Sequence, residues 1–431
     1  MEHIVDFHIH SHYSRATSKE MNIASLYRWG KIKGIHVIGT GDFTHPAWFA
    51  ELRAKLEPAE DGLFKLKEKY AKEQDMFLSS KFHSQPIRFM LTVEISNIYS
   101  KAGSVRKLHN LIIVPSFEAA SKIIDALRRI GNLQADGRPI LGMDSKDLLK
   151  ITLASDPQAL FIPAHIWTPW FSLFGSNSGF DSIREAFEEL AGEIKAVETG
   201  LSSDPFMNWR VEDLDRITLV SNSDAHSPPK LGREANIIHS ELSYKDIINA
   251  VKTGDERFVG TIEFFPQEGK YHYDGHRACR IRFSPQETKE HGGICPKCNR
   301  PLTLGVDYRV DKLANRPKNY KPHSHKKVEY IIPLAEILAE IFEVKSATSQ
   351  RVKAEYEKIT NTFGDEFAIL RTVPTSQIKD GGFGELAEAL DKLRAGDVHV
   401  EPGYDGVFGV IKVFDSKVEQ TAPTDQLSLG F

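Results

Sequence analysis

The chain has 431 residues, 41% hydrophobic and 26% charged, the composition of an ordinary globular protein with room for two or three domains. Its net charge of -4 does not announce a polyanion binder, so charge has to be read region by region. No basic leader or apolar run long enough to span a bilayer is visible. The three cysteines, Cys279, Cys295 and Cys298, crowd into one short region, which argues against a secreted disulfide framework and makes the cytoplasm the expected location.

In chain order, IVDFHIH, GIHVIGTGD, RFMLTVEIS, HNLIIVP, ALFIPAHI, IKAVETG and ITLVSNSDAH read as strands, with helices expected over 117–131, 180–191 and 244–253. This is the rhythm of a βα barrel or a doubly wound sheet. Polar residues of metal-binding type at the ends of so many successive strands favour barrel closure. From 265 to about 322 the chain turns polar and rich in Gly, Pro, His and basic residues. From Lys327 onward VEYIIPLAEILAEIF, SQRVKAEYEKITNTFG and GGFGELAEALDKLRAG read as helices, and VHVEPGYDGVFGVIKVF as turn and strand. The expected division is 1–262 for an α/β barrel, 263–325 for a small basic module, 326–418 for a mainly helical region and 419–431 for a flexible tail.

His8 and His10, one residue apart on a strand, project from the same face. Asp42 closes the second strand and His45 follows it, either as a ligand or as part of the turn that Pro46 fixes. Glu94 is bracketed by apolar residues, where a carboxylate is costly to bury unless paired or metal-bound. His165 follows another strand, and Asp224 and His226 repeat the one-residue spacing. His109 reads either as a ligand or as a group that orients one.

This mixture of imidazoles and carboxylates suits two or three ions of Zn, Mn or Fe, activated in some cases by Mg or Mn, with Glu94 bridging. The chemistry that follows is phosphoester hydrolysis. Lys101, Arg106 and Lys107, expected in a loop after Glu94, are candidates for holding the substrate's negative charge. Trp167, Trp170 and Phe171 lie in a Ser/Gly/Pro-rich loop after His165. There they either pack under the rim or form a slot for a flat group such as an extruded base.

His276-x-x-Cys279 and Cys295-x-x-Cys298 have the spacing of one structural zinc site, with His272 and His291 as other possible fourth ligands. Basic residues from Arg277 to Lys327, with Tyr308 and Tyr320 among them, supply either a solvated face or a phosphate-binding field.

The order DFHIHSHYS, GTGDFTHP, VEIS, HNLIIVP, PAHIWTPW and SNSDAH resembles the PHP (polymerase and histidinol phosphatase) superfamily of metal-dependent phosphoesterases over roughly the first 260 residues. With YHYDGHRAC, ICPKC and EPGYDGVFG added, the whole chain resembles the endonuclease Q family. The resemblance implies a distorted (β/α)7 barrel, catalytic metal binding by His8, His10, Asp42, Glu94, His165, Asp224 and His226 with His45 and His109 as further ligands, and zinc at His276, Cys279, Cys295 and Cys298. It also implies damaged DNA as partner, nicked 5′ of uracil, hypoxanthine, xanthine or an abasic site. DNA repair or replication proteins are possible further partners, and a monomer is the expected state. The rivals are a small-molecule phosphatase or exonuclease of the same superfamily and a non-catalytic DNA-binding adaptor.

Overall fold

The computed structural model describes residues 1–414; the segment expected as a tail, 419–431, and the last four residues of the region expected over 326–418 lie outside the described residues. The strand Glu2–Asp6 pairs in parallel with Val37–Gly39, which continues in parallel to Arg88–Lys101. Arg88–Lys101 then runs antiparallel to Ser104–Val114, and Ser104–Val114 antiparallel to Leu160–Pro163. On its other side Glu2–Asp6 meets Ala235–His239 antiparallel, followed by Phe258–Glu263.

A separate parallel pair, Ala196–Glu198 with Thr218–Val220, closes the space between these flanks. Ile166 donates its amide to Glu198 O at 3.1 Å, and His10 donates to Ala225 O at 3.0 Å beside the Ile9–Ala225 bridge. The result is a mixed α/β layer whose strand ends converge.

Strand alternation sorts the side chains. Val5, Phe7 and Ile9 are buried in apolar clusters, while Asp6, His8 and His10 take the opposite parity and collect on the polar side. Phe117–Leu127, Ser145–Ser155 and Tyr244–Thr253 pack outside, each begun by a capping side chain, Ser116, Asp144 and Ser243 respectively.

Four expectations change. The residues after Glu94 form no loop: Arg88–Lys101 and Ser104–Val114 make a long hairpin, turned by Ala102 and Gly103 with φ of 52° and 75°, the left-handed pair that a tight hairpin demands. The helix expected over 117–131 ends at Leu127. The one expected over 180–191 is a short helix, Ile183–Phe187, broken by Glu188 at φ 52° into a 3₁₀ turn. Pro333 divides the segment expected as a single helix, because its ring and missing N–H disfavour helix before it. Lys327–Tyr330 accordingly extends the sheet beside Phe258–Glu263, and the helix starts at Leu334.

Helices Leu334–Ile341, Gln350–Phe363, Glu366–Arg371, Thr375–Asp380 and Gly384–Ala395 share the main apolar core, and a buried Lys33–Glu366 ion pair of 2.6 Å joins them to the first region. The cysteine region contains the hairpin Asp274–His276 with Ile281–Phe283 and the helices Pro285–Glu290 and Val306–Leu313. Arg309, buried in the last of these, donates to Phe174 O and Phe180 O at 2.9 Å each and pairs with Asp181. Among the described residues no helix is long and apolar enough to cross a membrane.

Candidate metal centre and cysteine cluster

Three donor groups interlock where the strands converge: His8, His10 and Glu94; His10, Asp224 and His226; and Glu94, His109 and His165. Within each, the ligand atoms lie within 4.8 Å of one another. Glu94 is the hub. Its Oε2 lies 3.2 Å from His10 Nε2 and 3.6 Å from His8 Nε2, and its Oε1 2.7 Å from His109 Nδ1 and 3.0 Å from His165 Nε2. Asp224 Oδ1 stands 3.1 Å from His10 Nε2.

The buried atoms His8 Nε2, His10 Nε2 and Asp224 Oδ1 have no hydrogen-bond partner among the described residues. Orphaned polar atoms that converge on carboxylates are what a cation-binding site requires, and the imidazole and carboxylate set fits divalent ions.

Burial alone would push the Glu94 carboxyl up, but the charges of His109, Arg138 and His8 hold it well below the ordinary carboxylate range. Burial likewise works to lower His8, and the Glu198 and Glu94 charges override it and raise it well above an ordinary imidazole. His109, for which burial wins, falls to about 4. The backbone is bent to build the site: Asp42, His165 and Asp224 have φ of 52°, 28° and 46°, a region costly for residues with a Cβ.

Two expected ligands lie outside the three groups. Asp42 accepts from Ser11 N, Ser11 Oγ and Ser14 Oγ and lies 3.1 Å from His10 Nδ1, so its oxygens are used and it faces the back of His10. Gly137 passes close over it, where a Cβ would come within 2.2 Å of Asp42 Oδ2. His45 stacks on Tyr13 with ring centroids 4.2 Å apart and precedes the helix Pro46–Lys55.

Two residues the sequence reading passed over are central. Glu198, buried at the end of its strand, reaches His8 Nδ1 with both oxygens at 3.0 and 3.1 Å and also accepts from His165 N and Asn222 Nδ2. It was detectable by an argument like that used for Glu94, a carboxylate closing the strand-like run IKAVETG. Arg138 donates to Glu94 Oε2 at 3.0 Å with its side chain 29% exposed, and nothing in its turn-rich surroundings signals this.

The candidate substrate residues separate by environment. Lys101 pairs with Asp144 and Glu188, and Arg106 donates to Gly179 O beneath the Phe180 ring. Lys107 Nζ lies 5.4 Å from the Phe171 ring, which in turn lies 4.7 Å from His109. Trp167 is fully buried, packs on Phe174 and donates to Asn208 Oδ1 at 2.8 Å, so it is core, whereas Trp170 is exposed.

The cysteine region brings His276, Cys279, Cys295 and Cys298 together with ligand atoms within 4.8 Å, as tetrahedral zinc ligation requires. His291 stacks on Phe283 instead, and His272 is buried outside the group.

The family model of the MJ0043 C-terminal domain matches residues 333–397. Protein MJ0043 of Methanocaldococcus jannaschii is 30% identical over 265 residues, 59% of this chain, and the chain spans 32% of that relative's length. The lesion-specific endonuclease PfuEndoQ from Pyrococcus furiosus has a crystal structure that matches with a TM-score of 0.82 at 28% identity, over 97% of this chain and 98% of that one. The chain resembles endonuclease Q over nearly all of its length. A structure of endonuclease Q with a 27-mer duplex carrying an abasic lesion at its active site matches over 98% of this chain and all of that one, with a TM-score of 0.80 and 28% identity. At 97–98% coverage the match spans the first region, the cysteine region and the C-terminal helices alike.

Proposed function

We propose that this chain is a metal-dependent DNA endonuclease that acts at deaminated bases or abasic sites and hydrolyses the phosphodiester 5′ of the lesion. The observation that carries the reading is the set of three donor groups linked through His10 and Glu94, with two orphaned nitrogens and one orphaned oxygen among them, on a chain that matches endonuclease Q over 97% of its length. On this reading the strand ends form the rim of a distorted (β/α)7 barrel. The segment 263–325 is a zinc module, and 326–418 is a DNA-gripping region whose first strand, Lys327–Tyr330, is shared with the barrel sheet.

His8, His10, Glu94, His109, His165, Asp224 and His226 would hold divalent ions, which when bound would supply Lewis acidity for hydrolysis of a phosphodiester. The protein's own part is orientation. Glu198 accepts from His8 Nδ1–H and so turns the Nε2 lone pair inward, and Asp42 does the same for His10. Arg138, partly exposed beside Glu94, is placed to hold a non-bridging oxygen of the scissile phosphate through a charge-assisted bond. Lys107 at the rim adds charge along the strand. An extruded base costs a few kcal/mol to unstack, least at an abasic or mismatched position, which favours damaged sites.

The test is cleavage of end-labelled duplexes that differ only in one uracil, hypoxanthine, abasic site or normal base, with and without added Mn or Mg. A single nick immediately 5′ of the altered nucleotide supports the reading. Digestion from ends, turnover of sugar phosphates, or binding without cleavage by metal-replete protein overturns it in favour of an exonuclease, a phosphatase or an adaptor.

A further inference from the structure

A run of aromatic side chains interleaved with cations leads away from the metal centre. Next to Phe171, which touches His109, stands Trp170, 45% exposed. The Trp170 ring meets Tyr271 edge to face at 5.9 Å. Lys270 Nζ lies 5.7 Å from the Tyr271 ring and 5.9 Å from that of Phe408, and Phe408 is 62% exposed. The Arg277 guanidinium and the Tyr271 hydroxyl flank Gly406 at the tip of the hairpin that carries Phe408.

That hairpin, His399–Glu401 with Val410–Lys412, is pinned by its own backbone. Gly403 donates to Gln267 O at 2.8 Å, Gly406 to Lys270 O at 2.9 Å and Gly409 to Glu268 O at 3.0 Å. Arg277 N donates to Asp405 Oδ2 at 2.6 Å. A Cβ on Gly409 would stand 2.1 Å from Gln267 O, so the two segments meet without room for a side chain. Phe408 is therefore held in water by a fixed turn, an arrangement that gains when a partner covers it.

We propose that Trp170, Tyr271 and Phe408 form a stacking ledge for unpaired bases of the DNA strand flanking the cleaved bond, with Lys270 and Arg277 holding its phosphates. The proposal rests on the endonuclease reading above. A chain of flat apolar faces joined by anions matches both halves of the surface, and stacking of this kind tolerates any base sequence. The ledge begins one residue from Phe171, so a strand seated at the donor groups reaches it without a break. It also gives the cysteine module and the C-terminal hairpin one shared task, since each supplies part of the same surface.

The test uses the full chain carrying Asp224→Ala, so that DNA is bound and not cut. It is titrated with abasic duplexes bearing 2-aminopurine at successive positions on either side of the lesion, in about 0.15 M salt. The expected result is quenching at one or two consecutive positions on one side. Adding Phe408→Ala relieves that quenching and weakens binding roughly tenfold, with zinc content and Tm unchanged, and Phe408→Trp preserves both signals. Unchanged quenching and affinity after Phe408→Ala and Trp170→Ala overturn the ledge alone, provided the chain with Asp224 intact nicks lesion duplexes. A chain that neither nicks nor binds such duplexes overturns the ledge together with the endonuclease reading.

Discussion

The two metal-type clusters of this molecule are built in opposite ways. The centre around Glu94 draws its donors from residues 8 to 226, carried within or just beyond five strands, Glu2–Asp6, Arg88–Lys101, Ser104–Val114, Leu160–Pro163 and Thr218–Val220, and backed by a large apolar core. The cysteine cluster draws its donors from residues 276 to 298, a local hairpin and turn in which Cys298 is exposed and Cys279 partly so. In the first, the fold holds the geometry and ions add chemistry. In the second, a short hairpin and turn bring the donors together, and on the zinc reading the ion would add a large share of the local stability.

The sharpest way to break this comparison is Asp224→Ala. It should lower nicking by about a thousandfold or more, with circular dichroism and Tm close to those of the parent chain; a collapse of the fold would show that the first centre is not held by its core. Cys295→Ser should do the reverse in the second cluster. Zinc measured by mass spectrometry should fall by about one ion per chain, protease should cut within 263–325, and DNA affinity should drop while the donor groups around Glu94 keep their ions.

Glu198→Gln is a smaller perturbation. It removes the charge behind His8 while keeping the shape, and should weaken metal binding at the first centre by roughly ten- to a hundredfold, read by titration with a competing chelator; unaltered affinity would show that Glu198 only fills space. The smallest expected effect is that of pH. Burial works to lower His8 and His10, and the carboxylates around them override it and raise both well above an ordinary imidazole, so protons compete with each ion for the ring nitrogens. Affinity at the first centre should accordingly rise with pH and fall as the solution is acidified, and a flat profile between about pH 6 and 8 would contradict the assignment.

Much of the first centre was legible because strand parity is a strong signal. His8 with His10, Asp224 with His226, and Glu94 among apolar neighbours each announce a polar group turned toward one side of a buried layer. What a sequence does not record is which atom a residue faces. Asp42 has the right type and place for a ligand, and only the packing of Ser11, Ser14 and Gly137 around it shows that its oxygens are used behind His10. Glu198 carried the same signal as Glu94 and was passed over.

Arg138 gave no signal, since it lies in a turn-rich stretch where periodicity is absent. The strand periods themselves were read correctly, but parallel and antiparallel partners leave the same trace, and so the hairpin after Glu94 was hidden. Pro333 was visible and underweighted: a single residue without an N–H was enough to convert half of an apparent helix into an edge strand.

The reach of Arg309 joins the two clusters mechanically. Its guanidinium comes from the helix that follows the cysteines and grips the carbonyls of Phe174 and Phe180, inside the loop that begins at His165. On the zinc reading proposed above, loss of the ion from the cysteine cluster would loosen that helix and with it the grip on the loop beyond His165. On the endonuclease reading, damage to the sulfur cluster would then register in the reaction geometry as well as in the hold on nucleic acid.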